Sequence, residues 1–296
     1  MTSHPGSPPV QRPGTFGIDM LPRVARGEGS YVYDTTGKRY LDGSGGPAVY
    51  ALGHANPEVN AAVAEQMARI AHAYRYTFTS DAAEELAAIL ARRTGLDHSM
   101  IVSGGSEAVE SCLKIALQYH AARGEMSRRR FISRERSYHG NTLGALSVSG
   151  FRARRASYEG ALVPASFVSA ANAYRMPAGV AGLQALVPWL ARELEDEILR
   201  QGPETIAAFI FEPVVGAAGG VVPAPEGYAR AVQEVCRRHG ILLIADEVMS
   251  GSGRTGTWRA LEHDGITPDV MAVAKGLGAG YVPLGAALYS ALIGEA

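Results

Sequence analysis

Two residues of opposite charge, Asp246 and Lys275, each close a short apolar run. Ile241-Leu242-Leu243-Ile244-Ala245 ends in the carboxylate, and Met271-Ala272-Val273-Ala274 ends in the amine 29 positions further on. Apolar runs bounded by glycines and polar turns read as strands buried on both faces of a parallel sheet. Open α/β sheets bind ligands beyond the carboxyl ends of their strands. The pattern therefore predicts a carboxylate and an ammonium on one sheet rim. Of the 28 Lys plus Arg residues only Lys38, Lys114 and Lys275 are lysines. Arginine keeps its proton near neutral pH, whereas a partly desolvated lysine can release one, and the neutral amine adds to carbonyls to form a Schiff base. Taken singly, a strand-end lysine can simply snorkel to water and an aspartate can cap a turn.

As a pair they suggest more. An aldehyde cofactor held on a lysine acts as an electron sink when its pyridine nitrogen stays protonated, and a buried carboxylate facing that nitrogen keeps it so; this Lys plus Asp pairing is the protein's part of pyridoxal phosphate chemistry. Three further stretches lie at the ends of expected strands. Met100-Ile101-Val102 enters Ser103-Gly104-Gly105-Ser106-Glu107-Ala108, a small, Gly-rich strand-to-helix turn whose N–H groups suit an anion. A plain cap by Ser106, with Glu107 and Glu110 near the helix start, fits the same residues. Arg130-Phe131-Ile132-Ser133 is followed by Ser137-Tyr138-His139-Gly140-Asn141-Thr142, where Tyr138 is either a rim aromatic or a platform for a flat ring. Ile206-Ala207-Ala208-Phe209-Ile210-Phe211 ends in Glu212-Pro213, a turn residue or a ligand contact.

LLIADEVMSGSGRTG followed by AKGLGAGYVPLGA, with GSEA at 105–108 and SYHGNT at 137–142, resembles the signature of the class III (ω-type, subgroup II) aminotransferases of pyridoxal phosphate fold type I. The likeness runs from about residue 30 to the end. It implies an α/β fold: a large domain with a mixed, mostly parallel sheet flanked by helices, plus a small N-terminal α+β segment. It also implies that Lys275 carries the cofactor covalently, that Asp246 pairs with its pyridine nitrogen, and that Val248 packs on one ring face. Gly105 and Ser106 would hold the phosphate, Tyr138 would stack on the ring with His139 beside it, and Glu212 would lie next to cofactor and substrate. By the same analogy Ala48, Val49 and Tyr50 come near the substrate pocket.

The implied reaction moves an amino group from an ω-amino acid or primary amine to a keto acid such as pyruvate, with catalysis by Lys275 and Asp246. An aminomutase or decarboxylase of the same class, or a chain that only binds the cofactor or a partner subunit, shares these motifs. The implied assembly is a homodimer with the active site at its interface. Relatives of this kind continue past the equivalent of Ala296 into a C-terminal domain, so the resemblance implies that this domain is absent here. The glycines of Gly276-Leu277-Gly278-Ala279-Gly280 lack the lysine and the helix that a nucleotide loop requires.

The elements that must position these residues follow from the pattern. Residues 1–29 read as a flexible tail rich in Pro, Gly and Ser, 30–75 as the small N-terminal segment and 76–296 as the cofactor-binding domain. Ser30–Asp34 and Lys38–Asp42 around Thr35-Thr36-Gly37 read as a hairpin. Helices are expected from Pro57 to about Ala73, Asp81 to Arg93 (capped by Ser80 and ended by Gly95), about 106 to 123, Pro188 to Gln201 and Gly227 to Arg238. Pro283–Ser290 reads as a final strand. Arg152, Arg154 and Arg155 read as a solvated face.

Apolar residues make up 47% and charged residues 19% of the chain, ordinary for a globular protein able to bury a large core. A formal charge of -1 gives no cause to expect nucleic acid or an anionic membrane as partner. No apolar stretch is long enough to span a bilayer. Cys112 and Cys236 fall far apart in expected helices, which argues for a cytoplasmic protein without disulfides. No His/Cys cluster points to a metal.

Overall fold

The computed structural model of the chain describes residues 21–296. Residues 1–20 of the expected tail lie outside the described residues. The contacts divide the chain into two units: one runs to Gly45 and takes in Leu52–Arg69, and the other holds Gly46–Ala51 and Ile70–Ala296.

The first unit contains an antiparallel three-stranded sheet, β1 (Val24–Glu28), β2 (Tyr31–Asp34) and β3 (Arg39–Leu41), in that order, with the helix Pro57–Arg69. Residues 24–28, read from the sequence as part of a flexible tail, are a strand because β2 supplies a register-matched partner, Glu28 opposite Tyr31. Asp34 fixes the β2–β3 turn. Its Oδ1 accepts from Thr36 N–H (2.8 Å), Thr36 Oγ1 (2.6 Å) and Lys38 N–H (3.0 Å), and its Oδ2 from Tyr40 Oη (2.8 Å). These bonds, the Thr36 hydroxyl foremost, hold its carboxyl down at about 2.

The second unit is built on a seven-stranded sheet of β4 (His98–Val102), β5 (Arg130–Arg134), β6 (Ala165–Val168), β7 (Ile206–Phe211), β10 (Leu242–Asp246), β11 (Val270–Val273) and β12 (Gly285–Tyr289). A short hairpin of β8 (Val214–Val215) and β9 (Val222–Pro223) stands apart. The order across the sheet is β4-β12-β11-β10-β7-β5-β6. β12 pairs antiparallel with both neighbours, β11 and β4, while the remaining pairings are parallel.

Two apolar clusters cover the sheet. One joins Phe209, Phe211 and Leu243 to Leu190 and Leu194 of the helix Leu183–Gln201 and to Val232 of the helix Tyr228–Arg238. The other joins Ala208, Ile210, Ile244 and Ala272 to Ala108, Val109 and Cys112 of the helix Gly105–Ala122. β7 is buried along its whole length because its side chains enter both clusters, Phe209 and Phe211 one and Ala208 and Ile210 the other. Cys112 and Cys236 are free, buried, and in different clusters.

Most element bounds match the pattern to within a few residues. Ser80 caps the helix Asp81–Thr94 through a bond from Ala83 N–H, and Gly95 ends it in the left-handed region. The helix Leu183–Gln201 starts five residues before the expected Pro188, since burial of Leu186 outweighs the bond Pro188 cannot donate. The arginine cluster is not uniformly solvated. Arg155 is buried and donates to the carbonyls of Leu146, Ser147 and Ser149, closing the end of the short helix Leu143–Ser147.

Candidate active site

The carboxyl ends of the parallel strands share one edge of the sheet. β4 leads there into the start of the helix Gly105–Ala122, β5 into Tyr138 and His139, and β7 into Glu212; β10 ends on Asp246, and β11 runs through Ala274 into Lys275. β12 runs the other way, so Pro283 and Leu284 arrive at the same edge. These residues enclose a cavity of about 290 Å³, close to the ~300 Å³ lower end of small-molecule sites. Gly105, Ser106, Tyr138, His139, Glu212, Asp246, Val248 and Lys275 all line it.

Asp246 is almost fully buried and both of its oxygens are engaged. Oδ1 accepts from Val248 N–H at 3.0 Å, and Oδ2 lies 2.7 Å from His139 Nδ1. A carboxylate oxygen only accepts, so His139 Nδ1 donates this bond. His139 Nε2 faces Ser133 Oγ at 3.2 Å, and the His139 backbone N–H donates to Ser149 Oγ at 2.8 Å. Both ring nitrogens are thereby tied within the interior, and the imidazole acts as a rigid brace behind the aspartate.

Glu212 is held just as firmly. Its Oε1 accepts from Tyr138 N–H and its Oε2 from Gly216 N–H, each at 2.9 Å. Burial lifts its carboxyl above the ordinary range; His139 pulls it back, Asp246 adds to the rise, and the two N–H bonds lower it. The buried Arg134 donates to the Glu212 carbonyl and lies against the rings of Phe211 and Tyr228. One glutamate thus ties the β7 end to the Tyr138 loop.

Close approach explains two glycines at this edge of the sheet. A Cβ on Gly105 would fall 2.8 Å from Val248 Cγ1, and one on Gly285 would fall 2.7 Å from the Gly104 carbonyl. The helix Gly105–Ala122 has Gly104 at its cap position with no capping side chain, leaving first-turn N–H groups free for an anion. Ser106 Oγ donates to Asn141 Oδ1 at 3.0 Å and accepts from Asn141 N–H at 3.1 Å, which anchors the turn after Tyr138 to this helix. Lys275 occupies the left-handed region at φ 44°, a conformation that costs a non-glycine residue about 1–2 kcal/mol.

The sequence pattern did not single out Ala217, Met249, Val282 or Leu284, which also line the cavity. Ala217, Met249 and Val282 come from connections without a periodic signal, and Leu284 lies at the start of the expected final strand, one residue before β12 begins. Nor did it single out Glu247, next to Asp246. Buried at 1% exposure, Glu247 accepts from Ala260 N–H, Leu261 N–H and Ser250 Oγ and so holds the 247–262 connection closed. Burial raises its carboxyl, and those bonds oppose the rise. Val49, expected near the pocket, is in the lining, whereas Ala48 and Tyr50 are not.

A mostly parallel sheet with an amine, a buried carboxylate and an uncapped helix start around one rim cavity defines an α/β protein. Comparisons with known proteins make this specific. The family model described as aminotransferase class-III matches residues 17–296. The chain is 45% identical over 271 residues to an uncharacterized aminotransferase, YodT, of Bacillus subtilis, covering 91% of this chain and 61% of the relative. It is 40% identical to the adenosylmethionine-8-amino-7-oxononanoate aminotransferase of Geobacter sulfurreducens, over 92% of this chain and 61% of that protein. Among solved structures, it superposes on the ω-transaminase of Pseudomonas jessenii in complex with PMP at a TM-score of 0.88 and 35% identity, covering 93% of this chain and 61% of that one. A thermostable (S)-enantioselective ω-transaminase from Thermomicrobium roseum gives 0.89 and 42%, over 94% and 62%. The chain belongs to the class III aminotransferases, and its fold is that of pyridoxal phosphate fold type I. It spans about three fifths of the length of the relatives it matches.

Proposed function

We propose that this chain provides the cofactor cradle of a transaminase that moves an amino group from an ω-amino acid or primary amine to a keto acid such as pyruvate. Its cofactor is pyridoxal phosphate. The observation that carries the reading is the convergence of Lys275, Asp246 and the uncapped start of the helix Gly105–Ala122 on one cavity. An amine, a buried carboxylate and free N–H groups match the aldehyde, pyridine nitrogen and phosphate of that group.

When bound, the cofactor supplies an aldehyde for amines and a ring that takes up the electron pair released at the substrate carbon. The chain's own residues do the rest. Gly105 and Ser106 bind the phosphate. Asp246, buried and braced by His139, would hold a positive charge on the ring nitrogen. Val248 and Tyr138, both in the lining, would flank the ring. Lys275 Nζ would hold the cofactor covalently, and once free it would take a proton from the amine-bearing carbon and return it as general base and acid. Glu212 keeps Tyr138 in place through its backbone.

The remaining parts of the reading are a homodimer and a cytoplasmic location. Exposed Tyr74, Tyr76 and Phe78 offer an apolar surface for a second copy, checked by light scattering. The buried, unpaired cysteines suit a reducing compartment, and no helix among the described residues is long and apolar enough to cross a membrane.

The direct test loads the protein with pyridoxal phosphate, reduces it with borohydride and maps the label. Attachment at Lys275, lost in Lys275→Ala together with amine-dependent pyruvate consumption, is the expected result. Label at Lys38 or Lys114, or turnover that survives Lys275→Ala, removes the assignment. Amine loss without any keto acid would instead favour a decarboxylase or aminomutase.

A further inference from the structure

Arg134 ends β5 with its side chain sealed from solvent at 0% exposure. Its Nη2 donates to the Glu212 carbonyl, and its guanidinium lies 5.4 Å from the ring centroid of Phe211 and 5.3 Å from that of Tyr228. Nε and Nη1 have no hydrogen-bond partner among the described residues. One carbonyl and two aromatic rings therefore hold a full charge in the interior. A guanidinium keeps its charge throughout the working pH range, and burying a charge without an ionic partner costs stability. An uncharged side chain of similar length would fill the space between Phe211 and Tyr228 at a lower cost in free energy. Packing alone gives no reason for an arginine here.

The reason lies in what the guanidinium joins. Arg134 closes β5 and Glu212 follows β7, so the bond from Nη2 ties two neighbouring strand ends. The Glu212 carboxylate in turn accepts from Tyr138 N–H and Gly216 N–H, each at 2.9 Å. Ser137 Oγ donates back to the Arg134 carbonyl at 2.8 Å. These bonds close a ring that runs from Arg134 through Glu212 to Tyr138 and back along the turn. Within that turn Arg136 sits at φ 58°, a left-handed conformation that persists where the surroundings over-determine it. Tyr138 and Glu212 line the cavity, and Arg134 stands behind them. Being sealed from solvent, it acts on the cavity only through what it holds.

We infer that Arg134 is a positioning residue: it fixes Glu212, and through Glu212 the turn that carries Tyr138, for a flat ring bound in the cavity. The use made of Tyr138 rests on the transaminase reading, whereas the linkage itself is measurable without cofactor.

Amide hydrogen exchange in the cofactor-free chain reads the linkage. In Arg134→Met the Tyr138 and Gly216 amides exchange roughly tenfold or more faster, the scale of one lost charge-assisted bond. Amides of β5 and β7 further from the rim keep the parent's protection. The melting temperature stays at or above the parent's, since an apolar side chain in place of a buried ion is often neutral or stabilising. Arg134→Lys, which keeps a charge and a donor, loosens the two amides less. Unchanged exchange at Tyr138 and Gly216 overturns the inference. So does a lower melting temperature with protection lost evenly along β5 and β7, which marks a packing role. Should Arg134→Met fail to fold, Arg134→Gln is read on the same amides.

The loaded protein supplies the second readout. With pyridoxal phosphate attached at Lys275, the visible circular dichroism of the bound group reports how its ring is held. In Arg134→Met that signal declines while the label remains on Lys275, and kcat drops roughly tenfold with a smaller change in KM, again the scale of one such bond. Unchanged dichroism and kcat beside loosened amides overturn the positioning role. If the parent chain carries no label at Lys275, the transaminase reading fails by itself, and the exchange data decide whether Arg134 positions Tyr138.

Discussion

His139 Nδ1 and Asp246 Oδ2 lie 2.7 Å apart in the interior, although 107 positions separate them in the chain. The imidazole is fixed from behind by Ser133 and from its own backbone by Ser149, so the aspartate is presented to the cavity in one orientation. His139→Phe removes a charge-assisted bond worth about 1.5–3 kcal/mol and leaves the carboxylate free to rotate. The expected result is a kcat reduced roughly ten- to hundredfold, with the cofactor still attached to Lys275. Full activity in a folded His139→Phe protein would count against the brace.

Asp246→Asn tests the carboxylate itself. The amide keeps the bond from Val248 N–H but cannot hold a positive charge opposite it. Cofactor remains bound and covalent attachment persists, while kcat for transamination drops by roughly a hundredfold or more, the scale of a lost electrostatic contact at the reacting group. Stopped-flow absorbance with saturating amine measures it.

The contact between Gly105 and Val248 can be reversed by a second substitution. Gly105→Ala places a methyl group 2.8 Å from Val248 Cγ1, forcing the helix start away from the cavity. Affinity for pyridoxal phosphate is expected to weaken by roughly tenfold, and adding Val248→Ala should restore part of it, since residues in direct contact are energetically coupled. Equilibrium dialysis of the single and double variants gives the coupling. Additive losses would place the effect elsewhere.

Glu212 makes a prediction about pH. Its carboxyl is raised by burial in the folded state, so its protonated form is favoured by folding. This contribution is fully present below the ordinary glutamate value and is lost as pH rises through the raised one. Glu212→Gln removes that dependence but turns an amide N–H towards one of the two backbone N–H donors. The variant should melt at a lower temperature at pH 5, with a smaller gap from the parent at pH 8. Thermal scans across that interval check the sign.

Asp34 acts in the opposite sense. Its carboxyl is held at about 2 by the Thr36, Tyr40 and Lys38 bonds, below the unfolded value of 3.8. Its stabilisation is present above that unfolded value and disappears as pH falls towards 2. Proteolysis of the β2–β3 hairpin should accelerate across this window in the parent and be fast at all pH values in Asp34→Ala. A parent hairpin equally resistant at pH 2 and pH 6 would refute it.

The sequence by itself determined the parallel sheet and its chemistry. The runs 206–211, 241–245 and 271–274 are apolar without alternation, which only strands covered on both faces can satisfy, and each ends in or next to a titratable side chain that such a sheet must carry to its rim. Caps at Ser80 and Gly95 were legible because they depend on local backbone geometry. The tertiary structure alone decided what these residues touch. That β12 enters antiparallel between β4 and β11, that His139 stands behind Asp246, that Glu212 bonds Tyr138 and that Arg134 holds the Glu212 carbonyl all depend on segments far apart in the chain. Periodicity reports which face of an element is buried. Partner choice is set by how the elements pack, and no local pattern encodes it.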